Sequence, residues 1–253
     1  MRGIRKSFAG VEVLKGVTFE AHSGEVHALC GENGAGKSTL MNILTGVLQP
    51  DAGAIHFHGH DYSRFENARA AQTLGIAIVF QERSLFAPLT VAENIYAGRQ
   101  PASRAGTIQR SKMEAGAAAL LARVAPDIDP GRLVETLSPA QQQMVEIAKA
   151  LSLDSRLIIF DEPTAALTDS ETRRLFAVIR QLKAQGASIV YISHRLEEIF
   201  LLADRVTVLK DGAWQGTVPV AETNHDDLIR RMVGRDLETS RQNRLVPTGP
   251  AQL

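Results

Sequence analysis

Residues 31–38 are the part of the chain whose types and spacing indicate chemistry most directly. They read Gly-Glu-Asn-Gly-Ala-Gly-Lys-Ser and fit the pattern G-x-x-x-x-G-K-[ST]. Glycines let the backbone wrap closely around an oxygen-rich ligand, so that several N–H groups point inward. We expect Lys37 to reach the β- and γ-phosphates of a nucleotide and Ser38 to place its hydroxyl on Mg²⁺. The candidate nucleotide-binding residues of this segment are Gly31, Asn33, Gly34, Ala35, Gly36, Lys37, Ser38 and Thr39.

The alternative for this phosphate loop is a glycine-rich turn that binds nothing. Its surroundings argue against that alternative. The apolar run 26–30 before the loop predicts a strand, and apolar residues at helical spacing after it predict a helix that ends near Pro50. A helix that begins at the loop would direct the partial positive charge of its N-terminus toward a phosphate.

Two carboxylates, Asp161 and Glu162, directly follow the apolar run 157–160. The run predicts a buried strand, and α/β folds bind ligands beyond the carboxyl ends of such strands. We expect Asp161 to hold Mg²⁺, through water, and Glu162 to polarise an attacking water as general base. The alternative is two acids in a solvated turn, and the phosphate loop in the same chain disfavours it.

Short apolar runs separated by helical patterns indicate the fold class. The runs at 74–80, 157–160 and 188–192 suit strands that are covered on both faces, as in a parallel sheet. Helical patterns fall between these runs, for example around residues 175–182. The alternation predicts an α/β fold.

Antiparallel pairing is predicted at two places. Near the N-terminus, apolar residues alternate with polar ones in a pattern that predicts a half-buried strand, on Val11, Val13, Val17 and Phe19. Near the other end, Asp211-Gly212 lies between two strand-like segments, and an Asp-Gly pair is a strong hairpin signal.

The amino-acid composition of the sequence changes in the middle of the chain. Residues 82–151 begin with an Ala-rich, helical stretch broken by prolines, and we interpret this segment as a helical subdomain inserted into the core. The core then comprises about residues 1–81 and 152–238. Residues 239–253 are expected to form a tail or linker.

Composition limits the class of protein. The chain has 253 residues, is 44% apolar, and carries 28 basic and 28 acidic residues, so no global field favours nucleic acid. No apolar run approaches the roughly 20 residues that cross a bilayer, and the N-terminus lacks the apolar core of a signal peptide. We expect a cytoplasmic chain that meets a membrane through partners. The single cysteine, Cys30, is expected to be a buried structural thiol.

The phosphate loop and the acidic pair are together typical of P-loop NTPases. Further segments resemble motifs of the ABC ATPase family and follow one another along the chain in the family's order. Residues 137–141 occupy the place of the family's signature segment. Residues 165–168 look like its D-loop. Three single residues look like the adenine-stacking aromatic, the Q-loop glutamine and the switch histidine of the family, namely Phe8, Gln81 and His194. The resemblance covers about residues 4–237.

Four stretches narrow the resemblance to the monosaccharide-importer branch of that family: 141–151, 164–168, 192–199 and 232–235. That branch imports pentoses and hexoses such as ribose, galactose and xylose. Its ATPase subunits usually carry two cassettes, and this sequence looks like the first one alone. The chain would then be a fragment, a truncated sequence or a half-size member.

The resemblance implies a fold, ligands and partners. The fold is a RecA-like P-loop core with an antiparallel β subdomain and an inserted α-helical subdomain. The ligands are ATP and Mg²⁺. The partners are transmembrane permease subunits, a second cassette (as a homodimer or in tandem) and, indirectly, a periplasmic or lipid-anchored sugar-binding protein, but no nucleic acid. The location is the cytoplasmic face of the inner membrane, as a peripheral subunit.

The resemblance also implies residue roles. Glu162, His194 and Gln81 are catalytic, and Gln81 joins Ser38 and Asp161 at the Mg²⁺. Phe8 stacks on adenine, although a core aromatic is the alternative. The signature of one cassette closes the nucleotide site of the other, through Ser138, Ala140 and Gln141 in this chain.

The signature departs from the family pattern, which has two glycines where this chain has Pro139 and Ala140. Proline offers no N–H, and alanine adds a methyl group where backbone and phosphate approach. We expect slow or absent hydrolysis at the composite site that borrows this signature. Two other functions stay open: a soluble ABC ATPase that moves nucleic acid or ribosomes, and a non-hydrolysing regulatory cassette.

Overall fold

The computed structural model describes residues 1–80 and 84–233. The strands are β1 (Arg2–Phe8), β2 (Val11–Val17), β3 (Val26–Cys30), β4 (Ala52–Phe57), β5 (His60–Tyr62), β6 (Ile76–Val79), β7 (Leu157–Asp161), β8 (Ser188–Ile192), β9 (Arg205–Lys210) and β10 (Ala213–Pro219). The helices are α1 (Lys37–Leu44), α2 (Ala68–Thr73), α3 (Val91–Ile95), α4 (Arg110–Val124), α5 (Pro139–Leu151), α6 (Asp169–Ala184), α7 (Leu196–Leu202) and α8 (His225–Val233). The predicted tail, 239–253, lies outside the described residues.

The larger sheet has the strand order β10-β9-β3-β8-β7-β6. Its strands pair in parallel from β9 through to β6, and only β10 is antiparallel, to β9. Every residue of β3 and β7 is buried, which explains why these strands are continuous apolar runs and not alternating ones. The predicted α/β class is confirmed, with β3 in the interior of the sheet between β8 and β9.

A second sheet is wholly antiparallel, in the order β2-β1-β4-β5. The strand predicted from the alternating valines is present as β2, but the predicted half-burial is wrong at its start. Val11 is 65% exposed, whereas Leu14 and Val17 are fully buried. Register shifts in the pairing of β1 with β2 change which residues face the core, and a simple period of two cannot anticipate them.

Helix α1 is shorter than the sequence pattern predicts. It ends at Leu44 and not near Pro50. Gly46 takes a left-handed conformation (φ 71°), and the N–H groups of Val47 and Leu48 both turn back to the carbonyl of Asn42. A left-handed glycine just after the last turn is a common helix stop. The apolar residues at 47 and 48 therefore continue the pattern but not the helix.

Helices α3, α4 and α5 lie between β6 and β7 in the chain and pack against one another. Helix α5 also packs against β6, and its buried residues belong to the same hydrophobic cluster as Ile158 and Phe160 of β7. The inserted helices are therefore joined to the sheet by α5. The proposed boundaries of the helical subdomain, 82 and 151, stay a prediction.

Other predicted features lie where the sequence indicated. The turn between β9 and β10 has Asp211 and Gly212 at φ 48° and 75°, as a tight hairpin requires. Cys30 is fully buried, and burial raises the pKa of its thiol to about 12. Within the described ranges, no helix combines the length and apolarity needed to cross a membrane.

Candidate functional site

The topology of the larger sheet brings the candidate residues to one edge. Strands β3, β8 and β7 are neighbours and run parallel, so their carboxyl ends lie side by side. The phosphate loop leaves β3, His194 follows β8 by two residues, and Asp161 ends β7. Segments that are more than 120 residues apart in sequence therefore converge where α/β folds bind their ligands.

The phosphate loop is shaped by glycines with no room for a side chain. Gly31 has φ 154°, and a Cβ there would collide with the carbonyl oxygen of Leu209. Gly36 caps α1 at φ 96°, and a Cβ there would lie 2.7 Å from Leu14 Cδ2. The loop thus wraps tightly against the strands beside it and opens directly into the helix, which is the arrangement of an anion-binding helix N-terminus.

Lys37 is the first residue of α1 and turns its side chain back over the loop. Its Nζ donates hydrogen bonds to the carbonyl oxygens of Gly31, at 2.9 Å, and Glu32, at 3.0 Å. Burial lowers the pKa of Lys37, against the opposing charges of Glu162 and Asp161. The ammonium group is therefore held at the centre of the loop, where phosphate oxygens would be its natural partners.

Ser38 and Asp161 form a pair of oxygen donors beside the lysine. The Ser38 hydroxyl donates to Asp161 Oδ2 at 3.4 Å. Asp161 is only 7% exposed, and its burial, with a smaller contribution from Glu162, raises the pKa of its carboxyl. A hydroxyl and a buried carboxylate are ligands that suit Mg²⁺, which binds through one or two carboxylates together with phosphate and water.

Glu162 and His194 meet across the carboxyl ends of β7 and β8. His194 Nδ1 lies 3.1 Å from Glu162 Oε1, and the Glu162 N–H donates to the carbonyl of Ile192 at 3.0 Å. Glu162 is one of the non-glycine residues with positive φ, at 47°. Such a conformation costs free energy and is concentrated at functional sites. The predicted base and switch histidine are thus in direct contact.

These residues line a cleft of about 970 Å³, which is large enough for a nucleotide. The described lining consists of Val13, Gly31, Glu32, Asn33, Gly34, Gly36, Lys37, Ser38, Thr39, Asp161, Glu162, His194 and Met232. Most of the predicted phosphate-loop residues are among them. Gln81 lies outside the described residues, so its predicted roles in catalysis and at Mg²⁺ stay a prediction.

Of the residues predicted to bind this chain's own nucleotide, Ala35 and Phe8 do not line the cleft. Ala35 is 3% exposed and is part of the core, its N–H donates to the Glu32 carbonyl, and its own carbonyl accepts from Gly212. It shapes the loop from behind and does not line the cleft. Phe8 is 43% exposed, with Lys6 Nζ 5.5 Å from its ring centroid, so the alternative of a core aromatic is wrong. Stacking of Phe8 on adenine stays a prediction.

The signature segment forms a capped helix start away from this cleft. The Gln141 N–H donates to Ser138 Oγ at 3.2 Å, and the Ser138 N–H donates to Gln141 Oε1 at 3.0 Å. Pro139 occupies the first helical position, where its missing N–H costs no helical hydrogen bond. Ser138 and Pro139 are exposed and Ala140 is partly exposed. The segment is therefore available to a partner, and it does not line this chain's own cleft.

Three lining residues were not anticipated: Val13, Glu32 and Met232. Val13 sits in the antiparallel sheet, and only the approach of that sheet to the phosphate loop places it there. Glu32 takes part through its carbonyl, which any residue type would offer. Met232 lies in α8, nearly 200 residues from the loop in sequence. No local sequence signal would have identified Val13 or Met232.

Comparison with known proteins agrees with this geometry. The family model described as "ABC transporter" matches residues 14–165, which is more than half of the chain. The chain belongs to the ABC transporter family. The match spans the phosphate loop, the signature segment and both acidic residues of this ABC cassette.

Curated relatives of the cassette are named as sugar-import proteins. It is 52% identical over its full length to the ribose import ATP-binding protein RbsA 1 of Streptomyces avermitilis, of which it covers 48%. It is 52% identical over 94% of its length to the putative ribose/galactose/methyl galactoside import ATP-binding protein 3 of Burkholderia ambifaria, covering 47%. The chain thus spans about half the length of the curated relatives it matches.

Solved structures show the same fold. A nucleotide-free ATP-binding cassette from an ABC transporter is 25% identical with a TM-score of 0.77, and the match covers 94% of this chain and 96% of the other. An ABC transporter cassette in its ADP conformation is 26% identical with a TM-score of 0.78, with coverage of 92% and 97%. The fold predicted from the resemblance is therefore confirmed.

Proposed function

We propose that this chain is an ATP-hydrolysing, energy-coupling cassette of an ABC importer for a monosaccharide. The observation that carries the proposal is the convergence of the Lys37–Ser38 phosphate loop with Asp161 and the Glu162–His194 pair at one sheet edge. Each group has a counterpart in phosphoryl transfer: a cation for the phosphates, oxygen ligands for Mg²⁺ and a base for water.

The donor set fits ATP with Mg²⁺. Ser38 and Asp161 would hold the metal, since their oxygens already lie 3.4 Å apart beside the phosphate loop. A bound Mg²⁺ would neutralise phosphate charge as the γ-phosphoryl group leaves. The phosphate-loop backbone and Lys37 would bind the phosphates, and Phe8 is proposed to stack on the adenine.

The reaction is hydrolysis of the terminal phosphoanhydride. Glu162 accepts a proton from a water whose oxygen forms the new bond to the γ-phosphorus, while the bond to the β–γ bridging oxygen breaks. ADP leaves with the electron pair of that bond. His194, in contact with Glu162 Oε1, keeps the carboxylate and the water aligned with the γ-phosphate.

The proposed sugar substrate and the proposed partners are inferred from the curated relatives. These relatives are named for ribose and ribose/galactose/methyl galactoside import, and this chain is 52% identical to them over about half of their length. We therefore propose permease subunits and a second cassette, in tandem or as a homodimer, as direct partners. A sugar-binding protein on the other side of the membrane would supply the substrate. The chain would lie on the cytoplasmic face.

The test is the Mg²⁺-dependent ATPase rate of this chain, wild type beside Glu162→Gln, over a range of protein concentrations. We expect slow turnover, since each site of a pair of these chains borrows the Pro139-Ala140 signature, and this turnover should rise faster than linearly with concentration and be lost in the variant, while ATP binding is kept. ATP binding without turnover, at every concentration and in both proteins, would contradict hydrolysis by paired copies of this cassette. It would favour the regulatory alternative unless permease and second cassette restore turnover.

A further inference from the structure

A buried carboxylate that has no place in the reaction lies directly behind the Glu162–His194 pair. Glu198, in α7, is 5% exposed. Each of its carboxylate oxygens accepts two hydrogen bonds. Oε1 accepts from Thr164 Oγ1 at 2.8 Å and from Arg195 Nη1 at 3.3 Å. Oε2 accepts from Tyr191 Oη at 2.8 Å and from Ser193 Oγ at 2.9 Å. A buried carboxylate with this many donors is fully satisfied and firmly held.

The donors belong to the segments that carry the reacting pair. Ser193 immediately precedes His194, and its Oγ also accepts the backbone N–H of Arg195 at 3.0 Å, so the backbone on both sides of the histidine is fixed. Thr164 follows Glu162 by two residues on the loop that leaves β7. One carboxylate therefore ties together the chain next to the base and the chain next to the histidine.

The buried hydroxyl bonds matter more than the ion pair. The Arg195 side chain is 54% exposed, and an ion pair with an exposed partner contributes little because water screens it. Tyr191, Ser193 and Thr164 are each no more than 3% exposed, so their hydrogen bonds to Glu198 act in a medium of low dielectric. Removing the charge there would loosen three buried donors together.

We propose that Glu198 is a positioning residue that sets the separation of Glu162 and His194, and so the alignment of the attacking water. The inference rests on the proposed function, because it concerns the geometry of the same reaction. Glu198 does not line the cleft, and neither do its four hydrogen-bond donors. Its effect on turnover must therefore be transmitted through Ser193 and Thr164, and small misplacements of reacting groups cost up to about 100-fold in rate.

The experiment compares Glu198→Gln with Glu197→Gln in the full chain. Glu197 is the adjacent residue of α7 and is exposed, so its substitution is a matched control for charge and helix position. For Glu198→Gln we expect kcat to fall by about tenfold or more, with ATP affinity and KM changed less than about twofold. Glu197→Gln should retain wild-type kinetics.

A double-mutant cycle with His194→Ala separates positioning from general destabilisation. If Glu198 acts through His194, its substitution lowers kcat much less in the His194→Ala background than in the wild-type background. Equal fold-losses in both backgrounds would overturn the proposal. If Glu198→Gln does not fold, Thr164→Val and Ser193→Ala each remove one of the hydrogen bonds and take its place in the same cycle.

The two proposals fail in different ways. Wild-type and Glu197→Gln proteins that hydrolyse ATP, beside a Glu198→Gln protein with the same kcat, would overturn the positioning role and leave the ATPase proposal intact. A wild-type protein that binds ATP and shows no turnover under any assembly would overturn the ATPase proposal and the positioning role with it.

Discussion

At the scale of single residues, the site is built from groups that destabilise the protein when the ligand is not bound. Burial raises the pKa of Asp161 and lowers the pKa of Lys37, which means that in both cases the charged form is disfavoured by the fold. Evolutionary or engineered gains in stability at such positions usually come at the expense of activity. Under the proposed function, phosphate and metal binding would account for the two charges, which the fold alone disfavours.

Replacement of Asp161 by Asn should stabilise the ligand-free protein. The native state binds the Asp161 proton more tightly than the unfolded state, whose pKa is near 3.8, so the free energy of unfolding falls as pH rises between the two pKa values and stays lower above them. We expect the variant to be more stable at pH 7, by about 0.5–2 kcal/mol, and equal at pH 3.

Denaturant unfolding with EDTA, at several pH values, measures this difference. Asp127→Asn is the control, since Asp127 is exposed and does not line the cleft. A variant that is less stable than wild type at neutral pH would contradict the expectation. Asp161→Asn should also lose the strengthening of ATP binding by Mg²⁺, because it removes a proposed metal ligand.

Cys30 provides a second prediction at this scale. It is the only cysteine of the chain, it is fully buried at the end of β3, and burial raises the pKa of its thiol to about 12. Since the thiolate is the reactive form, a thiol-specific reagent at pH 8 should label the native protein at least about 100-fold more slowly than the unfolded chain. Labelling at the rate of an exposed thiol would contradict the buried position.

At the scale of elements, helix starts explain part of the local order. Among the described helices, α3, α5 and α6 begin with a capping box, in which the N-cap hydroxyl accepts the N3 backbone N–H and the N3 Glu or Gln side chain accepts the N-cap backbone N–H. The same S/T-x-x-E/Q spacing is visible in sequence for all three.

Ser138→Ala should separate the capping role of this serine from its role toward nucleotide. Loss of a helix cap lowers the free energy of unfolding by about 0.5–2 kcal/mol. Thr90→Ala removes the equivalent cap of α3, far from the cleft, and is the matched control. We expect similar losses of stability and a lower ATPase rate only for Ser138→Ala. Equal rates in the two variants would indicate that Ser138 serves the helix alone.

Prediction from sequence succeeded where one element determines the outcome. Strands β3, β7 and β8 are continuous apolar runs because both faces are covered, and the phosphate loop and acids follow them directly. Prediction from sequence failed where tertiary contacts determine the local structure. The end of α1 depends on the left-handed Gly46, and the role of Glu198 depends on donors from three segments. A glutamate on a helix carries no local sign of such partners.

At the scale of the whole molecule, the proposed function would make this cassette an incomplete enzyme. The cleft holds the loop, acids and histidine, but the signature helix start lies elsewhere on the surface with Ser138 and Pro139 exposed. A second cassette would have to supply its own signature to this cleft, and this chain's signature would serve the other site. The two sites of such a pair need not have equal activity.

Restoring the two glycines tests that asymmetry. In the assembled transporter, Pro139→Gly together with Ala140→Gly returns a backbone N–H and removes a methyl group where phosphate would approach. We expect the ATPase rate to rise by about twofold if both sites then turn over equally, at a stability cost of about 1 kcal/mol from glycine in the first turn of α5. An unchanged rate would contradict impaired hydrolysis at the borrowed site.

The position of β3 in the larger sheet also has a consequence for synthesis. Its partners are β8 and β9, and Cys30 pairs with Val208, about 180 residues later. At roughly 5–20 residues per second, the ribosome delivers those partners roughly 10–40 s after β3 emerges. During that interval the apolar strand has neither of its neighbouring strands. ATP cannot stabilise it by binding, because the strands that support the phosphate loop have not yet been synthesised. The apolar side chains of β3 must therefore be covered by other contacts until β8 and β9 have been synthesised.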